Sequence, residues 1–287
     1  MASKTAVRTS AAPTGGNPPA QPSLARRLAG AAGRFGLALP LPVSIILLWE
    51  YAGQNRLLAG GLVPPFSRVV AALANWIFGI GTGLPIFSGT WLHHVGASST
   101  RILIGFAIGS ALAITLGVLV GWSRTFAAMV DPTVNVIRPI SVAAWITMAV
   151  TLFGLGNLPA IFLITYATFF PVYVNTVHGV RYAEDKLTHA ALMLGASKRQ
   201  LLWHVIIPGA LPSILTGMRV AIAVSWTTVI ISEVLAVKSG LGYVLIDAND
   251  LFRLDVVISS MISVGVLGFL TDRLLAMLQG RLLHWLD

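Results

Sequence analysis

Residues 139–180 contain no Asp, Glu, Lys or Arg. Built as a single helix, that run of 42 residues would extend about 63 Å, roughly twice the thickness of a bilayer's hydrocarbon core. The stretch is therefore expected to cross a membrane twice, turning at Gly154-Leu155-Gly156-Asn157-Leu158-Pro159. The rest of the chain agrees. It is 56% hydrophobic and 10% charged, with a mean hydropathy of +0.82, whereas soluble domains carry about 25% charged residues. The fold class expected is an all-α integral membrane protein.

Further spans follow from the same pattern. The first is expected over Phe35–Gly53, the second over Ser98–Trp122, the fifth over Ser213–Val237 and the sixth over Val256–Leu275, making about six with the pair above. Residues 1–33 are rich in Ala, Pro, Gly, Ser and Thr and are basic, the composition of a disordered tail. A cleaved signal would place its apolar run earlier, so the first span reads as an uncleaved anchor. Residues 34–97 hold that anchor and an external segment whose amphipathic run, Ser67–Phe78, is expected to lie at the interface. Residues 98–275 form the transmembrane core, and 276–287 a short basic tail.

Charge placement gives an orientation. With both termini inside, the inner segments hold Lys4, Arg8, Arg26, Arg27, Arg34, Arg124, Arg138, Arg181, Lys186, Lys198, Arg199, Arg273 and Arg281, and the outer segments hold Arg56, Arg68, Arg101, Lys238 and Arg253. Thirteen inner cations against five outer ones is the bias of cytoplasmic loops. It accounts for the net charge of +9 without a nucleic-acid partner.

Catalytic chemistry is poorly represented. None of the four lysines follows a glycine, so no phosphate-binding Gly-x-x-x-x-Gly-Lys loop exists on this chain. There is no cysteine, and the histidines show no metal-ligand spacing. The ionisable groups expected within spans are Glu50, Arg219 and Glu233, each near a span end from which it could snorkel. Thr147, Thr151, Thr168, Asn175, Ser225, Thr228 and Ser232, with Arg219, are candidates to line a water-filled path, or to satisfy one another across helices. Gly105, Gly109, Ala113, Gly117 and Gly121 recur at every fourth position, the spacing of a helix face that another backbone can approach closely.

The longest stretch with water-seeking residues in the oily second half is residues 184–212. Asp185 can cap a helix to Leu194, Gly195 suits a left-handed turn, and Ser197 with Gln200 forms a capping box for a second helix over 198–207. Pro208 and Pro212 are expected to stop it. This is a helix–turn–helix hairpin on the cytoplasmic side. The residues alone leave open a secondary carrier or channel that works without an ATPase.

The hairpin resembles the cytoplasmic signature of ABC importer permeases: Glu-Ala-Ala, three residues, Gly, nine residues, then aliphatic-x-aliphatic-Pro. Here it reads His189-Ala190-Ala191, Gly195, Val205, Ile207 and Pro208, with His189 in place of the Glu. Phe169-Phe170-Pro171, Asn175-Thr176, His178-Gly179-Val180, Leu194-Gly195-Ala196-Ser197, Pro208-Gly209-Ala210-Leu211-Pro212, Thr216-Gly217-Met218-Arg219 and Ser239-Gly240-Leu241-Gly242 are similar to the branch that moves aliphatic sulfonates, taurine or nitrate. The likeness runs from about Pro64 to the C-terminus.

The resemblance implies a type I importer fold in a bacterial cytoplasmic (inner) membrane. It implies a pore made with a second permease copy in a lipid bilayer, an extracytoplasmic solute-binding protein, and two separate ATPase subunits that hold ATP and Mg. No cofactor is expected on this chain. His189, Ala190, Ala191, Leu192, Met193, Gly195, Ala196, Ser197, Lys198, Arg199 and Pro208 would then be the ATPase-coupling residues, with Leu192 and Met193 as an adaptable apolar knob and Lys198 and Arg199 as a basic rim.

Overall fold

In the computed structural model the described residues are 40–57, 59–80, 87–182 and 185–283, and they contain helices and turns but no strand. The proposed tail, the start of the first span and residues 284–287 lie outside them. The described residues divide into two units, one reaching to Tyr51 and the other beginning at Ala52. In the first, helix α1 (Pro40–Gln54, which runs on into the second unit) carries exposed Leu41, Ile45, Leu47 and Leu48, apolar side chains suited to lipid.

The second unit continues with α2 (Phe66–Phe78), α3 (Trp91–Trp122), α4 (Arg124–Ile137), α5 (Val142–Phe153) and α6 (Asn157–Arg181). After these come α7 (Asp185–Met193), α8 (Lys198–Leu201), a π turn (Leu202–Ile206), α9 (Ile207–Ala236), α10 (Leu241–Asp250) and α11 (Leu254–Leu282). Among the described residues four helical rods are long and apolar enough to cross a bilayer: 91–122, 157–181, 198–236 and 254–282. The pair α4 and α5, bent by 95°, makes a fifth if counted as one span.

Three expectations change. The third span is not 139–153 alone, because α5 has 12 residues and rises only about 18 Å. Helix α4, which the sequence placed in a loop, pairs with it at a 95° bend, as a broken span or a re-entrant turn. Pro139, with no N–H to give, lies at the break, and the Tyr166 hydroxyl donates to Ile137 O and Ile140 O at 3.0 Å each, bonding carbonyls on either side of it. Second, α2 has a protein partner that the sequence did not reveal: Val69 and Trp76 are buried, and Trp76 joins a core cluster with Ile102, Ile164, Trp226 and Leu241. Third, Pro208 and Pro212 do not end the hairpin's second helix. The chain stays helical from Lys198 to Ala236. Ile207 N–H reaches back to Leu202 O, and this wider turn gives the Pro208 ring room where an α turn would press it on the preceding carbonyls.

The glycine face of α3 lies against α6. A Cβ added to Gly105 would stand 2.7 Å from Ile164, and one on Gly109 2.7 Å from Thr165 O. On Gly117 it would meet Thr176 at 2.7 Å, and on Gly121 Val180 at 2.6 Å. Ala113 between them is fully buried. Helix α6 also meets α9 closely, where a Cβ on Gly217 would stand 2.7 Å from Asn175 Cβ. These contacts make α3, α6 and α9 one rigid group. We predict that Gly109→Ala lowers the thermal midpoint in detergent, costing about 1–3 kcal/mol from overpacking. Gly265→Ala, which meets nothing within 4 Å, leaves it unchanged or higher. Equal midpoints for the two variants would contradict this packing.

Candidate functional site

One end of the molecule carries the hairpin. Helix α7 closes with Gly195 N–H donating to Leu192 O and Ala196 N–H to Ala191 O, both at 3.0 Å, and Gly195 takes φ +81°. This is the left-handed helix ending that glycine adopts without strain. The Ser197–Gln200 capping box is formed: Ser197 N–H and Oγ donate to Gln200 Oε1 at 2.9 Å each, and Gln200 N–H donates to Ser197 Oγ at 3.4 Å. The Asp185 side chain lies outside the described residues. Ala191 packs against a cluster of Val180, Leu201, Ile206, Ala210 and Ile214, which seats the hairpin on α6 and α9. Met193 and Leu194 stand 89% and 88% exposed at its tip. Leu192, His189, Ala190, Lys198 and Arg199 are exposed around them, Ala196 is half-buried, and Pro208 sits in the first turn of α9. The arrangement is an apolar knob within a basic rim, standing on a rod of 39 residues about 58 Å long, nearly twice a bilayer's hydrocarbon core.

The other end carries a buried ion pair that the sequence reading missed. Arg101 Nη1 donates to Glu233 Oε1 at 2.6 Å, and both side chains are within 5% of complete burial. The Ser98 hydroxyl contacts both Glu233 oxygens, at 2.8 and 3.0 Å, and Gly242 N–H donates to Oε2 at 2.9 Å. Three further guanidinium hydrogens go to Asn157 Oδ1 (2.8 Å), Ser239 O (2.9 Å) and Ser239 Oγ (2.6 Å). Leu241 N–H donates to Ser98 Oγ at 3.0 Å, and Gly240 N–H to His94 Nδ1 at 3.2 Å. The Ser239-Gly240-Leu241-Gly242 turn is thus wrapped around the carboxylate, and a Cβ on Gly240 would collide with it.

Glu233 therefore does not snorkel, and Arg101 is not a cation of an outer loop. A signal was present: Arg101 extends the four-residue spacing of Gly105 and Gly109, which places it on the packing face. Glu50 belongs to α1 and is half-buried there.

The path candidates scatter. Thr168 and Ser225 are buried and meet across α6 and α9 at 3.0 Å. Thr228 is buried, and buried Ser232 donates to Val229 O at 2.8 Å. Asn175 Nδ2 donates to Pro171 O at 2.8 Å. In this structure Thr168, Ser225, Thr228 and Ser232 face protein, and Asn175 is half-buried. Arg219 is paired with Asp272 by two hydrogen bonds at 3.0 and 2.9 Å, both side chains remaining partly exposed. Thr147 and Thr151 on α5 remain exposed, one turn apart.

Breaking one half of the Arg101–Glu233 pair strands the other charge in a low-dielectric interior. Arg101→Met is predicted to cost roughly 3–5 kcal/mol, while Arg101→Met with Glu233→Met recovers much of that loss. A double-mutant cycle on thermal unfolding in detergent measures the coupling, and simple additivity would show the pair to be unimportant.

With this geometry in hand, comparison with known proteins is direct. Residues 109–284 match the family described as binding-protein-dependent transport system inner membrane component. The taurine transport system permease protein of Escherichia coli is 32% identical over 241 residues, covering 84% of this chain and 86% of that protein. A putative aliphatic sulfonates transport permease protein of the same organism is 35% identical over 245 residues, covering 85% and 90%. Among solved structures, one titled as inward-facing conformations of the MetNI methionine ABC transporter superposes with a TM-score of 0.56 at 17% identity, covering 68% of this chain and 99% of that one. The shared architecture is that of a type I importer permease. The chain belongs to the binding-protein-dependent transport system inner membrane component family and is a multi-pass ABC importer permease, not itself a catalyst.

Proposed function

We propose that this permease imports a small oxyanion, of the sulfonate, taurine or nitrate type, by alternating access powered by ATP on separate subunits. The observation that carries the reading is the continuous helix from Lys198 to Ala236. Its near end holds the capped hairpin, and Glu233, three residues from its far end, sits in the buried ion pair. A displacement of the hairpin is transmitted along one rod to the opposite face, which is the two-ended element that coupling requires.

In this reading the pore is a homodimer of permeases in a bacterial cytoplasmic membrane with both termini inside. Two ATPase subunits holding ATP and Mg dock at residues 189–199 and Pro208, and an extracytoplasmic binding protein delivers the solute. Thr147 and Thr151 are the path residues that best fit, because they are exposed on α5. The oxyanion assignment draws on the names of the taurine and sulfonate relatives together with the basic balance of the chain.

Reconstituted with its ATPase and liganded binding protein, the permease should stimulate ATP hydrolysis in response to solute, with sulfonates, taurine, nitrate and bicarbonate compared in parallel. Transport without an ATPase, driven by a proton or sodium gradient, would overturn the reading. Gly195→Trp is predicted to abolish stimulated hydrolysis while membrane insertion persists, because a side chain at φ +81° strains the turn that presents the knob. Normal coupling in that variant would remove the hairpin from the mechanism. His189→Glu restores the family's acidic residue and is expected to be tolerated, read as unchanged co-purification of the ATPase. Loss of the ATPase would contradict a docking surface that accepts either residue.

A further inference from the structure

Among the described residues two that are not glycine have a left-handed backbone, Arg56 and Phe252, each with φ 53°. Both end a helix in the same way. Arg56 N–H donates to Gly53 O at 3.3 Å and Leu57 N–H to Ala52 O at 3.0 Å. Phe252 N–H donates to Asn249 O at 2.9 Å and Arg253 N–H to Ala248 O at 2.8 Å. This is the motif that the hairpin builds with Gly195, and glycine is its usual left-handed residue. A side chain there is strained, and strained backbone tends to persist where the side chain has work to do. The two positions are nearly two hundred residues apart, yet they line one cavity of about 350 Å³ at the end of the molecule opposite the hairpin.

That cavity has two kinds of wall. Arg56 and Arg68 supply positive charge. Its one carboxylate, Asp255, is already engaged, since Arg253 donates to both of its oxygens at 2.9 Å and Val256 N–H to one at 3.0 Å. Arg68 Nε stands 3.6 Å away from it with its side chain 65% exposed. Asp255 is thus answered by Arg253, which is not among the lining residues, and the two lining guanidiniums, Arg56 and Arg68, leave the cavity with an excess of positive charge. At the rim, Phe252 and Leu62 are 88% and 66% exposed. A cationic pocket with an apolar lip at the level where the spans end fits a ligand with an anionic head and an oily body.

We infer that the cavity binds an amphiphilic oxyanion, its phosphate or sulfonate head on Arg56 and Arg68 and its hydrocarbon against Phe252 and Leu62. Two sources share this chemistry: an anionic phospholipid of the adjoining leaflet, and an alkyl sulfonate arriving from solution. The site is remote from the hairpin, so the inference does not depend on how the hairpin couples.

The test uses the full-length permease in phosphatidylcholine nanodiscs. Phosphatidylglycerol is added and its retention read by native mass spectrometry; octanesulfonate and inorganic sulfate are titrated by calorimetry. At least one of the two amphiphiles should bind, phosphatidylglycerol marking a lipid site and octanesulfonate a solute site. Arg56→Gln with Arg68→Gln should weaken that binding about tenfold or more through loss of charge-assisted hydrogen bonds. Phe252→Gly is the sharper variant. It should weaken binding several-fold while raising the thermal midpoint by about 2–4 °C, because glycine relieves the left-handed strain. The inference is overturned if neither amphiphile binds above the phosphatidylcholine background, if sulfate binds as tightly as octanesulfonate, or if Phe252→Gly leaves affinity unchanged.

Discussion

The Arg101–Glu233 pair is the interaction on which the hairpin-distal half of this permease depends. A charge in a low-dielectric interior must be paired and its remaining hydrogen-bonding capacity filled, or it costs several kcal/mol. Here that requirement dictates where four elements meet. Helix α3 supplies Ser98 and Arg101, α6 supplies Asn157, α9 supplies Glu233, and the turn into α10 supplies Ser239 and the Gly242 N–H. None can shift without unmaking a hydrogen bond to one of the two charges. Glycine at 240 and 242 follows from the same requirement, because the backbone passes so close to the carboxylate that a Cβ at either position would meet Glu233.

The near half is built by a different device. Along the α3–α6 seam small residues replace side-chain interdigitation with backbone contact, the mode of association available to helices in lipid, where burial of apolar surface gives little advantage. The two halves are joined by the 39-residue rod that starts at the capping box and ends beside Glu233. Two prolines lie within it, and a single π turn absorbs the first of them. The hairpin is thus the end of a transmembrane helix instead of a loop hung between two.

Legibility in the sequence followed the range of the interaction. The glycine ladder, the Gly154–Pro159 turn, the left-handed Gly195 and the Ser197–Gln200 box are set by residues within four positions of each other, and all could be placed from the chain alone. The hairpin signature was legible for the same reason. What escaped depends on residues more than fifty positions apart. Arg101 reads as a loop cation until Glu233, 132 residues later, is brought against it. Arg219 reads as a free charge until Asp272 is found paired with it. For Thr168 and Ser225 the chain left two readings open, lining a path or satisfying one another, and their contact across α6 and α9 selects the second in this structure. The prolines misled in the opposite direction: the rule that they end helices is sound in water, but a membrane helix has a neighbouring bundle and a π turn with which to accommodate them.

The central claim is that the hairpin is where a separate ATPase grips this permease. The chain contains no cysteine, so a single one placed at Met193, the most exposed residue of the knob, reports without background. In native membranes carrying the whole transporter, Met193→Cys should cross-link to the ATPase subunit, and a membrane-impermeant thiol reagent should reach it only from the cytoplasmic side. Labelling from the opposite side, or failure to cross-link while transport continues, would contradict the account.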